Sequence, residues 1–150
     1  MVSIYFAYEA SVVSIFNHLA QEKLVTSFEN YKSKEIDRIK KANNGKLNFL
    51  VFANAYSLEE LGFSLFGKAL SKRALEELRM LRNSYVHNGC SLDSLSDHTK
   101  QNIVNGKYEK AFGRVGIKWY ITPAGVSLFF KEAHESFKYF KRLAFDKAIT

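Results

Sequence analysis

In PAGVSLFFKEAHESFKYFKRLAFDKA, residues 123–148, the apolar side chains return at helical spacing rather than at the alternation of a strand. Val126, Phe129, Phe130, Ala133, Phe137 and Phe140 fall on one face, with Lys131, Glu135, Lys138 and Arg142 opposite, so the stretch reads as a long amphipathic helix with one side turned to a core. Pro123 suits the first helical turn, where its missing N–H would be unpaired in any case. Such a helix needs helical partners, and the preceding segments carry the same periodicity.

Near the start, Tyr5, Tyr8, Val12, Ile15 and Leu19 follow alternating steps of three and four, which predicts a first helix running to about residue 30. A charged continuation keeps Ile36 and Ile39 at helical spacing as far as Lys41. Asn43, Asn44 and Gly45 then tolerate a left-handed turn. From 46 to about 68, Leu47, Leu50, Asn54, Leu58, Leu61 and Leu65 form one stripe while Phe49, Phe52, Tyr56 and Phe63 cover other faces, the pattern of a central helix. Ser71 is the expected N-cap of a third helix, with Ala74, Leu78, Leu81 and Tyr85 inward and Gly89 as its stop. A polar turn over 90–96 and a short helical stretch starting at Ser96 or Asp97 follow. Val115, Ile117, Trp119 and Ile121 alternate with Gly116, Lys118 and Tyr120, which predicts one short extended segment between Gly113 and Pro123.

These readings amount to an all-α chain: an antiparallel bundle of four to five helices in one domain spanning 1–150, with a short extended segment near 115–121. Composition agrees. Of 150 residues, 47% are apolar and 15% aromatic, enough for a real core, while one proline and eight glycines are too few for a linker-rich or turn-rich protein. Cys90 is the only cysteine, so an internal disulfide or a thiolate zinc cluster is excluded and a reducing, cytoplasmic setting is expected. The apolar N-terminal run contains Glu9 and lacks a basic lead-in, and Glu9, Asn17 and His18 interrupt the best membrane-span candidate.

Charge is unevenly placed. The formal net charge is +7, and residues 100–150 hold 10 Lys and Arg against 4 Asp and Glu, while residues 1–99 hold 12 against 11. A surplus of that kind in one third of the chain suits phosphate attraction, so a nucleic acid is the expected partner, with Lys118, Lys138 and Arg142 as its contacts.

The segment RNSYVHNG, residues 82–89, closes the third predicted helix and opens into a polar loop. Asn83 and His87, four apart, share a helix face, and Arg82 follows Leu78 by four, beside the buried stripe. Arg82 is a permanent cation able to grip a phosphate in two places, and His87 has the side chain best matched to proton transfer near neutral pH. Together they suit phosphodiester chemistry with neither metal nor cofactor.

Arg82-Asn83-x3-His87, at a helix end after earlier helices and before a long closing helix, resembles the signature of the HEPN domain superfamily: an Arg, four to six residues, then a His, with a polar residue after the Arg. The resemblance covers most of the chain. It implies a helical bundle that dimerises so that two motifs face one another, and a metal-independent endoribonuclease in which His87 moves a proton at the ribose 2′-hydroxyl or the leaving oxygen. Arg82 would stabilise the phosphorane and Asn83 orient His87 or the phosphate. Such proteins often serve as toxins or abortive-infection and anti-phage effectors, restrained by an antitoxin or a larger defence complex. Gly89 stands where the branch paired with nucleotidyltransferase antitoxins usually has a Tyr, which argues against that pairing. The superfamily also implies an alternative, a non-catalytic module that binds RNA, a nucleotide or a protein.

Other residues read as structural. His18, His98 and His134 lack neighbours at metal-ligand spacing, and Cys90 has no His and acid arranged for nucleophilic chemistry. Gly113-Arg114-Val115-Gly116 has the form of a KH-domain clamp but reads as a turn. The phenylalanines of 129–140 read as core, and Trp119, Tyr120 and Tyr139 as the better base-stacking candidates.

Overall fold

The structure is a computed structural model describing residues 2–88, 111–116 and 118–149, with the backbone alone at residues 2, 84–88, 114, 118 and 119. Among the described residues it is all-α apart from one small hairpin. Helix α1 spans Val2–Gln21, α2 Phe28–Ala42, α3 Phe49–Tyr56, α4 Ala69–Asn88 and α5 Pro123–Ile149; a π-helical turn, Ser57–Leu61, follows α3, and strands β1 (Phe112–Val115) and β2 (Lys118–Ile121) precede α5. Among the described residues no helix is long and apolar enough to cross a membrane. The chain divides into two compact units, Met1–Phe6 with Leu70–Glu135 and Ala7–Ala69 with Ser136–Thr150.

The second of these units is built on aromatic packing. Phe16 of α1 lies 4.5 Å from Tyr56, 5.0 Å from Phe28 and 5.5 Å from Phe140, ring centroid to centroid, so α1, α2, α3 and α5 meet on one ring. All four residues are buried, and tilted or edge-on ring pairs of this kind add roughly 0.5–1.5 kcal/mol each beyond the area they bury. The hydroxyls of Tyr8 and Ser136 share a 3.4 Å hydrogen bond, and Ser136 donates to the Leu65 carbonyl.

Sequence periodicity misjudged where helices stop in this unit. The helix expected to reach residue 30 ends at Gln21 because Lys23 takes a left-handed conformation, φ 58°, and the Lys23 and Leu24 amides close back on Ala20 and Leu19. Ser27 then starts α2 by accepting the Asn30 amide. The turn expected at 43–45 is present, with Asn44 and Gly45 at φ 54° and 79°. The long central helix expected over 46–68 is shorter. Asn48 caps α3 through the Val51 amide, the π turn ends at Gly62 in the left-handed region, and the Asn54 side chain accepts the Leu65 amide of the returning chain.

The π turn also presents Glu59 to α2. Glu59 accepts hydrogen bonds from Tyr31 at 2.7 Å and from both contacts of the Arg38 Nη2 at 2.7 and 2.8 Å, while Arg38 also pairs with Glu35. Burial alone would raise the Glu59 carboxyl, but the bonds from Tyr31 and Arg38 outweigh it and hold the group below its ordinary value.

In the first unit, α4 turns Ala74, Leu78 and Leu81 inward, as its spacing predicts, together with Leu75; the side chain of Tyr85, also expected inward, lies outside the described residues. Ser71 does not cap it: the helix begins at Ala69, and Ser71 is buried and donates to Glu132 of α5 at 2.9 Å. The expected single extended segment is an antiparallel hairpin in which Gly113 pairs with Tyr120 and Gly116 turns at φ 60°. Gly113 lies inside β1 rather than bounding it, and the Tyr120 ring occupies the space a Cβ there would need. Phe112 packs edge-on against Phe129 of α5 at 5.8 Å. Thr122 caps α5 by accepting the Gly125 amide, with Pro123 at the first helical position as expected. On α5, Phe129, Ala133 and Phe140 are buried, but Val126 and Phe130 are exposed, Phe130 lying parallel to His134 with centroids 6.1 Å apart. Gly89, Cys90, His98 and the helical stretch expected after Ser96 lie outside the described residues.

Candidate functional site

Arg82 and Asn83 sit on α4 in the first unit, both half-buried. The Arg82 guanidinium carbon lies 4.8 Å from the ring centroid of Phe6, on α1 of the same unit, and Nη1 donates to the Asn83 side-chain oxygen at 2.8 Å. Nε is buried and has no hydrogen-bond partner among the described residues. The guanidinium therefore lies over an aromatic ring and is bonded at one nitrogen to its neighbour. Such an ion is pre-oriented, because the conformations it would lose on gripping an anion are already restricted.

Helix α4 continues through Asn88, which keeps positions 83 and 87 four residues apart on one helix, as the motif requires. The His87 side chain lies outside the described residues. The expected orienting role of Asn83 acquires a second element: its oxygen is engaged by Arg82, leaving its amide nitrogen as a donor.

Glu77, on the same helix, was not singled out by sequence. It is 8% exposed, its Oε2 has no hydrogen-bond partner among the described residues, and burial first, then the nearby Glu76 charge, push its carboxyl up to about 7. Phe6 was missed for a different reason: it lies off the Tyr5, Tyr8, Val12 stripe and is 43% exposed, so nothing in the periodicity of α1 assigned it a task.

Of the residues expected to contact RNA, Lys118 pairs with Val115 across the hairpin, with its side chain outside the described residues. Lys138 and Arg142 are exposed on α5 in the second unit, one helical turn apart. Two residues beside them were not assigned to RNA: Lys141, also exposed, and Phe145, which is 46% exposed with the Lys141 Nζ 5.7 Å from its ring centroid. Among the described residues no three His, Cys, Asp or Glu side chains gather where they could hold a metal ion.

The class these observations define is an all-α chain carrying an aromatic-clamped Arg-Asn pair on a helix that runs on to a histidine. No protein-family model matches the chain, and neither does any curated protein or solved structure.

Proposed function

We propose that the protein is a metal-independent endoribonuclease of HEPN type, acting in the cytoplasm as a toxin or anti-phage effector, with Arg82, Asn83 and His87 as its catalytic residues. The observation that carries the reading is the setting of Arg82: a guanidinium lying over Phe6 and bonded to Asn83, on a helix continuing to His87.

In this mechanism His87 takes the proton from a ribose 2′-hydroxyl, and the freed oxygen attacks the adjacent phosphorus. The bond from phosphorus to the 5′-oxygen breaks as that oxygen receives a proton from a protonated imidazole, that of the His87 in a second copy of the chain, leaving a 2′,3′-cyclic phosphate and a 5′-hydroxyl. Arg82 neutralises the charge that builds on the phosphorane, and a pre-oriented donor does so without first paying for its own reorganisation. The Asn83 amide nitrogen is a donor that would orient the phosphate or the imidazole. Two copies of the chain would bring two such motifs together, and a neutralising antitoxin or a larger defence complex would restrain them.

The test is RNA cleavage in EDTA by the parent protein beside Arg82→Ala and His87→Ala, with product ends identified by mass spectrometry. Both variants should lose at least about a hundredfold in rate. Undiminished cleavage by both would end the proposal, and RNA that binds but stays intact under every condition would favour the non-catalytic module. Growth arrest on expression, relieved by His87→Ala, is the corresponding outcome in cells.

A further inference from the structure

The last three turns of α5 carry a surface that the motif does not use. Lys138, Lys141, Arg142 and Phe145 stand at i, i+3, i+4 and i+7, one stripe of the helix, and all four are exposed. Across residues 136–150 the one acidic side chain is Asp146, beyond Phe145 on the flank of the stripe. Lys147 is directed elsewhere, its Nζ donating to the Leu61 carbonyl at 2.9 Å. Three cations therefore share one helical stripe with an aromatic ring, and one of them, Lys141, lies near that ring.

An exposed phenylalanine alone needs no explanation. Here its surroundings narrow the occupant. A protein partner docking through Phe145 would bury three unneutralised cations unless it supplied matching carboxylates, whereas a nucleic acid strand brings one phosphate with every base. The ring favours a single strand, whose unpaired bases can stack on it; a duplex hides its base faces and offers phosphates alone.

We infer that this stripe is a binding surface for single-stranded RNA, with Phe145 stacking on a base and Lys138, Lys141 and Arg142 holding the flanking phosphates. It rests on the proposal that RNA is the substrate, and it adds the strand form and two residues, Lys141 and Phe145. Recognition of this kind is tolerant of sequence, because every base has a flat face.

The experiment measures binding of a single-stranded oligouridylate of about twelve nucleotides, and of an RNA duplex of the same length, to full-length protein carrying His87→Ala so that the probe stays intact. In that background Phe145→Leu keeps apolar bulk and removes the ring; it should weaken oligouridylate binding about tenfold and leave duplex binding unchanged. Lys141→Gln and Arg142→Gln should each reduce the slope of log affinity against log salt by about 0.7, the single-strand value for one lost phosphate contact. Lys34→Gln, an exposed charge on α2, serves as control and should leave the slope unaltered.

Unchanged oligouridylate binding by Phe145→Leu, or equal weakening on the duplex, overturns the inference. So does conversion of a dimer to a monomer by Phe145→Leu in sedimentation, which would assign the ring to a protein interface. Cleavage by protein retaining His87 is read in parallel. If cleavage occurs but binding ignores Phe145, this inference fails and the ribonuclease stands; if binding depends on Phe145 but no RNA is cut, the reverse holds.

Discussion

Arg82 and Phe6 form a cation–π pair, with the guanidinium carbon 4.8 Å from the ring centroid, and the pair places a residue from the first turns of α1 beneath the cation of the proposed site. A contact of this kind at a half-exposed position is worth roughly 0.5–1 kcal/mol. That is small for stability but is a two- to fivefold effect, approximately, if it acts on a transition state.

Phe6→Leu should therefore lower kcat about two- to fivefold with little change in KM, and move the unfolding free energy by less than about 1 kcal/mol. Steady-state cleavage and thermal unfolding of the same preparations check this. A KM effect alone would mean that the ring helps hold RNA rather than orient Arg82.

Arg82→Lys keeps the charge and discards the planar fork. If Arg82 acts through two-point contact with phosphate, the lysine variant should retain less than about a tenth of the parent rate. Cleavage at the parent rate would reduce Arg82 to a source of positive potential.

Some of this was legible in the sequence and some was not, for local reasons. The left-handed turn at Asn44 and Gly45 uses residues that tolerate positive φ, so composition points to it. The break after α1 puts Lys23 in the same backbone region, and a lysine there carries no warning in one sequence. Ser71 looked like a cap because serine usually is one, yet its hydroxyl is spent on Glu132, sixty-one residues away in the chain. The Arg82, Asn83 and His87 spacing could be read because it lies within one helix. Phe6 could not, because its link to Arg82 is tertiary and lies off the buried stripe that periodicity reveals.

The Tyr31, Glu59 and Arg38 cluster makes a prediction about acid. A carboxyl held below its ordinary value in the folded state contributes stability above its unfolded pKa and loses it as pH falls through the lower, folded value. Glu59→Gln should thus be less stable than the parent near neutral pH, and the difference should shrink on going to about pH 3. Its size should stay within about 1 kcal/mol, because Glu59 is 42% exposed and water screens the pair. Urea unfolding at both pH values measures it.

Gly125 tests the joint between the hairpin and α5. Replacing a helical glycine with alanine ordinarily stabilises by up to about 1 kcal/mol. At Gly125 the added Cβ would run into the carbonyl of Ala111, which is backbone and cannot swing away, and whose oxygen accepts the Thr122 amide at 3.0 Å. Gly125→Ala should therefore destabilise by roughly 1–3 kcal/mol, the usual cost of overpacking. A stabilised variant in thermal unfolding would show that the close approach is not maintained in solution.

Glu77 makes the opposite pH prediction from Glu59. Its carboxyl is pushed up to about 7, so the folded chain holds a proton that the unfolded chain releases near the ordinary value. The protonated form is the one the fold tolerates: below both values Glu77 costs nothing, the penalty develops as pH rises through the interval, and it is complete above about 7. Glu77→Gln imitates the neutral carboxyl at every pH. It should match the parent near pH 4 and exceed it near pH 8 by up to about 3 kcal/mol. The same substitution separates stability from chemistry on α4. If Glu77 acts only through the fold, Glu77→Gln should leave the pH profile of RNA cleavage unchanged while flattening that of unfolding, and a displaced cleavage profile would make Glu77 part of the proton traffic around Arg82 and His87.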